Sequence, residues 1–365
     1  METIAKINKM VKGVAELMPK GKLRRFHLMV EQFSLKTFTS INSAGRASSN
    51  NRNTGETRAR RAILDIDLAE LLENTLVRKV FSTLSGYIFC SLDHSQFGPF
   101  CIAVLAVSFR KGRAIPIWCQ VNKSEAALIK PLLKKLGQLC KELPTINPDL
   151  KLVLVMDRWF ASDKLFKLFE EYGVYFIART KSDKNIRLPW DTSWQRTKIL
   201  EISHEEVGIV YCKYELRLIR STYEENKRLK SRRKKKTDPE PWFLLTNLPM
   251  PSHKGANDGF TRQQILNRYA ERFEIEEAFK DMKWLNRLEW QQIRKPEVIY
   301  SLLTFVFFGR WLIWWVVVPV MKKAEKTVKV HVKKVLSWFR AAWEYLERLR
   351  CVNILDATLL GWERK

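Results

Sequence analysis

Acidic side chains at the ends of apolar runs are the first candidates for chemistry in this chain. Asp93 closes "YIFCSLD" and Asp157 closes "KLVLVMD", and both runs have the composition of buried strands. An aspartate at a strand end is also a common turn or cap residue, so either one alone is open to a structural reading. A third carboxylate, Glu276, stands in "YAERFEIEEAFKDMK" (269–283). At about 100° per residue on one helix, Arg272, Glu276 and Lys283 fall at about −60°, −20° and −40° from Tyr269, a single narrow stripe. Ile275, Phe279 and Met282 flank it on one side and Phe273 on the other, so it runs along the edge of a buried face. The same charges would also suit a solvated helix with i,i+4 pairs between Arg272 and Glu276 and between Glu276 and Lys280.

Three acids beside buried strands make sense mainly around cations. Two carboxylates about 4 Å apart repel by roughly 4 kcal/mol at an effective dielectric near 20. Oxygen ligands suit Mg²⁺, with Mn²⁺ as a substitute, rather than zinc. Two such metals activate a water or a 3′-hydroxyl and stabilise the leaving oxygen in phosphodiester displacement. Arg272 and Lys283 would then bind phosphates beside the metals, with Tyr269 hydrogen-bonding one.

The elements that must position these residues change character along the chain. Residues 1–82 read as helical and basic, with Ile4, Ile7, Val11, Val14 and Met18 at helical spacing and "AILDIDLAELLENTLV" (62–77) returning to it. This part is a candidate DNA-binding segment or a helical cap on the next domain. "GYIFCSLD" (86–93), "CIAVLAVSF" (101–109) and "AIPIWCQV" (114–121) predict three strands. A helix over 123–143, a strand over 151–157, a helix over 162–173 and a strand over 174–180 complete a mixed sheet with helices on its faces. Residues 181–240 hold short β-like segments and end in "KRLKSRRKKK" (227–236), where eight of ten residues are cationic. "WFLLTNL" (242–248) resumes the strand pattern, and Thr261 is placed to cap the helix that carries the stripe. Residues 297–365 are helical in pattern.

With 65 Lys and Arg against 39 Asp and Glu, the net charge is +26. A folded protein this basic needs a polyanion, and nucleic acid is the first expectation, with an anionic membrane as competitor. "IYSLLTFVFFGRWLIWWVVVPV" (299–320) is long enough to span a bilayer. Arg310 at its middle, costing about 2.5–3.5 kcal/mol there, favours a core helix. The six cysteines (Cys90, Cys101, Cys119, Cys140, Cys212, Cys351) form no C-x-x-C pair, and four of them sit inside apolar runs, as small core residues of a reducing compartment do. The five histidines show no ligand spacing, which argues against a zinc enzyme.

Tyr269, Arg272, Glu276 and Lys283 fit Y-x2-R-x3-E-x6-K. In this the chain resembles the large group of bacterial insertion-sequence DDE transposases that carry the Y-R-E-K signature. "RFEIEEAFKDMK", "WFLLTNL" and "DRWF" (157–160), beside that group's usual D-R-G-F, extend the resemblance over roughly residues 85–310. It implies an α/β fold: an RNase H-like catalytic core, a mixed five-stranded sheet with flanking helices (83–180 and 241–296). A β-rich insertion with a basic loop (181–240) interrupts the core, and helical parts lie at both ends. It implies Asp93, Asp157 and Glu276 as the metal-binding catalytic triad. Tyr269, Arg272, Lys283, Arg158 and the loop lysines Lys234, Lys235 and Lys236 are expected on the DNA. Trp242 stands where some members place a tryptophan that stacks on a flipped base, although a Trp at a strand start also suits a core. Two departures are visible: Trp159 replaces the glycine of D-R-G-F, and Ser95 stands where Thr is commoner in the first motif.

The expected function is a DNA transposase. It would bind the terminal inverted repeats of its own element, cleave the ends with two divalent metals and transfer the 3′-hydroxyls to target DNA. A homodimer holding two ends is expected, with 297–365 available for protein contacts, a cytoplasmic, nucleoid-associated location and no membrane. The alternatives are a metal-dependent nuclease that cuts without joining and a catalytically silent DNA-binding relative.

Overall fold

The apolar runs after residue 85 form strands because each is short, rich in Val, Ile, Leu and Phe, and bounded by turn residues. A computed structural model describes residues 2–30, 32, 42, 51–108, 114–181, 184–189, 192–196, 206–211, 213–222, 224–225, 241–253, 256–284 and 293–319. In it β1 spans Gly86–Phe97, β2 Phe100–Ser108, β3 Ala114–Asn122, β4 Leu150–Met156 and β5 Tyr175–Thr180. A short ribbon follows, β6 Asn185–Ile186 with β7 Gln195–Arg196, and then β8 Glu206–Tyr211, β9 Tyr214–Arg220 and β10 Phe243–Thr246. The helices are α1 Glu2–Ala15, α2 Leu23–Met29, α3 Arg52–Ile63, α4 Ile66–Phe81, α5 Glu125–Ile146, α6 Asp163–Glu171, α7 Arg262–Glu271, α8 Phe273–Trp284 and α9 Pro296–Leu312.

Among the described residues the main sheet has eight strands, in the order β3-β2-β1-β4-β5-β10-β9-β8. Five of them, β1 to β5, stand side by side, and edge pairing prolongs the sheet beyond them. β5 offers its free edge to β10, which binds it antiparallel from Phe243↔Thr180 to Thr246↔Ile177. β9 adds to β10, and β8 to β9, so the hairpin read as part of an insertion prolongs the main sheet. Each added strand satisfies a row of main-chain groups that an open edge would leave unpaired. β1 pairs in parallel with β4 and β4 with β5, while β2 with β3, β5 with β10, β10 with β9 and β9 with β8 are antiparallel.

The described residues form two compact units, one drawn from Phe81–Asp93 and Lys130–Ile275, the other from Met1–Val80, His94–Ile129 and Glu276–Lys365. In the first, Val153 and Val155 of β4, Ile177 of β5, Ile219 of β9 and Leu244 of β10 bury one face against Ile265, Leu266 and Tyr269 of α7. β4 is buried at six of its seven positions, as a parallel strand covered on both faces should be. Thr261 starts α7 with a capping box: its side chain accepts from the Gln264 backbone while Gln264 reaches back to the Thr261 backbone. Two arginines fix the chain leading into that helix. Arg217 on β9 donates to Glu206 and to the carbonyls of Leu248, Pro249 and Phe260. Arg262 forks onto both oxygens of Glu225 at 2.6 and 2.7 Å and also reaches the Arg220 carbonyl.

In the second unit, α1 buries Ile7, Val11 and Val14, and Met18 just beyond it, as its spacing predicts. α9 is buried along nearly its whole length, with Phe305 and Phe308 against Phe26 of α2. Its Arg310 is 1% exposed and faces Asp281 of α8 at 3.8 Å. An isolated charge there would be costly. Its paired position explains how an arginine sits in the apolar helical stretch Pro296–Val316, most of which is buried in protein. Glu73 of α4 is buried as well, accepting from the Cys119 backbone at 2.9 Å and from the Tyr300 hydroxyl at 3.1 Å. Cys90, Cys101, Cys119 and Cys140 are buried free thiols, and burial lifts Cys101 to about 11 and Cys140 to about 12. Cys212, Cys351, "TKILEIS", "KRLKSRRKKK" and the chain beyond residue 319 lie outside the described residues.

Candidate functional site

Strand register builds the first part of the site. β1 and β4 pair in parallel from Gly86↔Leu150 to Leu92↔Met156. The next residues on the two chains are Asp93 and Asp157. In-register neighbours on parallel strands point to the same face, at the usual strand spacing of about 4.8 Å. The two aspartates were expected at two strand ends. Asp157 does follow the last residue of β4, but β1 continues four residues past Asp93 to Phe97, so Asp93 lies within a strand. The continuation through His94, Ser95 and Gln96 is polar, which is why an apolar run stops short of the true strand end.

Asp93 is buried, and its Oδ2 accepts from the Arg272 guanidinium at 2.5 Å. Both side chains are under 10% exposed. A charged pair this dry is stable only as a pair, because removing one partner strands the other. Asp157 is half-buried, and its Oδ1 is buried without a hydrogen-bond partner. After it the chain turns, with the Phe160 N–H donating to the Asp157 carbonyl at 3.0 Å and Trp159 packed edge-on against Phe160. The turn therefore forms with Trp159 in the place of a glycine.

Tyr269 and Arg272 come from a helix that is not continuous. α7 ends at Glu271 and α8 begins at Phe273. At Arg272 the helix tightens to i→i+3 bonds, Arg272 N–H to the Tyr269 carbonyl and Ile275 N–H to the Arg272 carbonyl. Tyr269 thus lies on α7, Arg272 at the junction, and Glu276 and Lys283 on α8. Tyr269 is wholly buried rather than at an edge, its ring edge-on to Trp242 at 4.9 Å. Its hydroxyl has no well-formed hydrogen bond. Burial above all pushes that hydroxyl up to about 12, opposed by the nearby charges of Arg272 and Arg179 and reinforced by Asp157. The phenol is thus neutral at pH 7 and sits in the field of Asp157, Arg179 and the Arg272 that holds Asp93. The Arg272 guanidinium also lies over the Phe273 ring at 4.8 Å.

In the other unit, α8 carries Glu276 one turn after Arg272. Glu276 and Glu277 are both half-buried, and Glu277 accepts from Lys280 at 2.8 Å. Lys283 is half-buried with its Nζ 5.1 Å from the centre of the Phe97 ring.

Of the two readings open for Trp242, the structure shows the core one. It is 0% exposed and packs against Tyr269 and Phe273, so here it is a core residue with no face open for a base. Arg158 is exposed beside Asp157. Lys234, Lys235 and Lys236 lie outside the described residues. Sequence reasoning passed over three arginines: Arg179 near Tyr269, and the clamps Arg217 and Arg262. Arg262, directly after the Thr261 cap, was the one with a positional signal.

The donor chemistry suits a hard divalent cation: carboxylate oxygens only, one of them buried and unsatisfied. The conformation does not. Asp93 is committed to Arg272, and among the described residues no three His, Cys, Asp or Glu side chains stand together as a metal site.

A comparison with curated proteins gave no match. The family described as transposase DDE domain matches residues 99–312, more than half of the chain, and spans Asp157, Tyr269, Arg272, Glu276 and Lys283. Asp93 lies six residues before the match and is tied to it by the register of β1 on β4 and by Arg272. A match over more than half of the chain, on a mixed sheet with flanking helices, makes the chain a member of the DDE-domain transposase family.

Proposed function

We propose that the protein binds the terminal inverted repeats of its own insertion sequence, cleaves the ends and joins the freed 3′-hydroxyls to target DNA. Family membership already implies a metal-dependent enzyme that cleaves nucleic acid, with DNA as its partner. The finer reading adds Asp93, Asp157 and Glu276 as the groups that hold Mg²⁺, or Mn²⁺ in its place, and assigns the chain to the Y-R-E-K group. When bound, such metals supply an activated oxygen nucleophile and stabilise the leaving oxygen.

The observation that supports this reading is the β1–β4 register, which runs to Leu92↔Met156, the residues just before Asp93 and Asp157, with an unsatisfied carboxylate oxygen on Asp157. The strand order β3-β2-β1-β4-β5 supports an RNase H-like core within the larger sheet. Arg272 and Lys283 hold phosphates, Arg158 adds an exposed cation, and Tyr269 donates to an anion from a hydroxyl that stays protonated. Exposed Arg24, Arg58 and Arg61 support a DNA-contacting role for 1–82, and 297–365 supplies the contacts of a homodimer acting on DNA in the cytoplasm, at the nucleoid.

The test is Mg²⁺-dependent 3′-end cleavage of labelled DNA carrying the sequences that flank the gene. Cleavage at the element boundary by the wild type and none by Glu276→Ala is the expected result. Binding without cleavage, in Mg²⁺ or Mn²⁺, would contradict it.

A further inference from the structure

The conflict between a donor set that suits a metal and a conformation that does not points to a role for Arg272. Resting on the functional reading above, we propose that Arg272 is a stand-in cation for Asp93. It keeps this carboxylate out of metal coordination until a DNA phosphate draws the guanidinium away.

The argument is one of charge balance in a dry place. Asp93 and Arg272 are each nearly inaccessible to water and joined at 2.5 Å. Neither tolerates being left alone, because a buried charge without a partner is strongly unfavourable. Asp93 therefore always needs a cation, and Arg272 always needs an anion. A divalent metal and a phosphate together satisfy both demands, so an exchange from Asp93–Arg272 to Asp93–metal and Arg272–phosphate conserves the pairing. Guanidinium forks onto phosphate as readily as onto carboxylate. The position of Arg272 helps the move. It lies between α7 and α8, where the helix has tightened, so its side chain is not locked into the middle of a regular helix. Phe273 and Tyr269 offer ring faces along which the guanidinium can slide. The consequence is coupling: metal loads at Asp93 when DNA is present and stays off when it is absent, which guards against hydrolysis of stray phosphodiesters.

The test reads metal binding rather than activity. Mn²⁺ is titrated into the full-length, DNA-free protein and free Mn²⁺ is followed by electron paramagnetic resonance. If Asp93 is open in about a tenth of molecules, apparent affinity at that ligand is reduced about tenfold. Arg272→Gln should then raise Mn²⁺ affinity about tenfold, and adding Asp93→Asn should cancel the gain. Asp93→Asn alone should change the wild-type affinity less than about twofold, since the carboxylate is already occupied. Where Arg272→Gln alone fails to fold, Mn²⁺ is titrated with and without a DNA duplex: DNA should raise the affinity about tenfold in the wild type and not in Asp93→Asn, and an equal effect in both would overturn the proposal. An unchanged affinity in Arg272→Gln, or a several-fold loss in Asp93→Asn alone, would overturn the proposal while leaving Asp93 as a ligand. Mn²⁺ binding indifferent to Asp93 in every variant would overturn the functional reading of Asp93 as well.

Discussion

Tyr269→Phe should make the fold more stable and the enzyme worse. The Tyr269 side chain is entirely buried, and its hydroxyl lacks a well-formed hydrogen bond. A buried polar group left unsatisfied costs about 1–3 kcal/mol. Phenylalanine keeps the ring, its edge-on contact with Trp242 at 4.9 Å and its place against β4 and β10, and loses one oxygen. The small void left behind offsets part of the gain, so a net stabilisation of about 1 kcal/mol is expected. In a domain of 150–250 residues that corresponds to a rise in Tm of roughly 2–4 °C. Urea unfolding, with an unchanged dependence on denaturant, measures the first half of the prediction, and end cleavage measures the second. The proposed reason for retaining the hydroxyl is functional. Burial lifts its pKa to about 12, which keeps it a donor at neutral pH beside Asp157 and Arg272. A destabilisation of 1 kcal/mol or more in Tyr269→Phe would refute the reasoning, since it would mean that the hydroxyl is bonded within the fold. Stabilisation with full activity would refute its assignment to function.

Glu276→Gln should abolish cleavage while Glu277→Gln leaves it largely intact, because the two side chains leave α8 about 100° apart and Glu277 already holds Lys280; equal losses would show that the wrong glutamate was chosen. The Arg262 fork, above all, holds Glu225 below its ordinary value of 4.5. A carboxyl with a depressed folded pKa adds stability above its unfolded pKa and loses it as pH falls through the folded one. The stability gap between wild type and Glu225→Gln should therefore be full at pH 6–7 and close as pH drops below about 4.5; a gap constant from pH 7 to pH 3 would contradict the pairing. DNA affinity should fall steeply with salt, by about 0.9 log units per log unit of salt for each phosphate neutralised. Neutralising Lys234, Lys235 and Lys236 should flatten that slope, and an unchanged slope would remove the basic run from the interface.

Much of the fold was legible because strands and caps have local signatures. "KLVLVMD" and "CIAVLAVSF" could be read as strands from their runs alone, and Thr261 followed three residues later by Gln264 is a capping pattern. What could not be read was pairing across the chain. Nothing in "GIVYCKYELRLIR" says that its second half will bond to "WFLLT", or that "WFLLT" will close the edge of β5. The Arg272–Asp93 pair joins residues 179 positions apart, and periodicity carries no trace of it. The break at Arg272 was hidden because both sides of it are strongly helical in composition. Trp242 was ambiguous for a related reason: a tryptophan at a strand start suits a core or a platform, and only its burial against Tyr269 decides between them in this conformation.

The central claim is tested most directly by strand transfer. Labelled DNA carrying the element's ends is incubated with the protein, a supercoiled target plasmid and Mg²⁺, and the joined product is scored. The account predicts cleavage and joining by the wild type, and neither without a divalent metal or with Asp157→Asn. Cleavage without any joining would make the protein a nuclease, and joining that survives Asp157→Asn would remove this carboxylate from the chemistry.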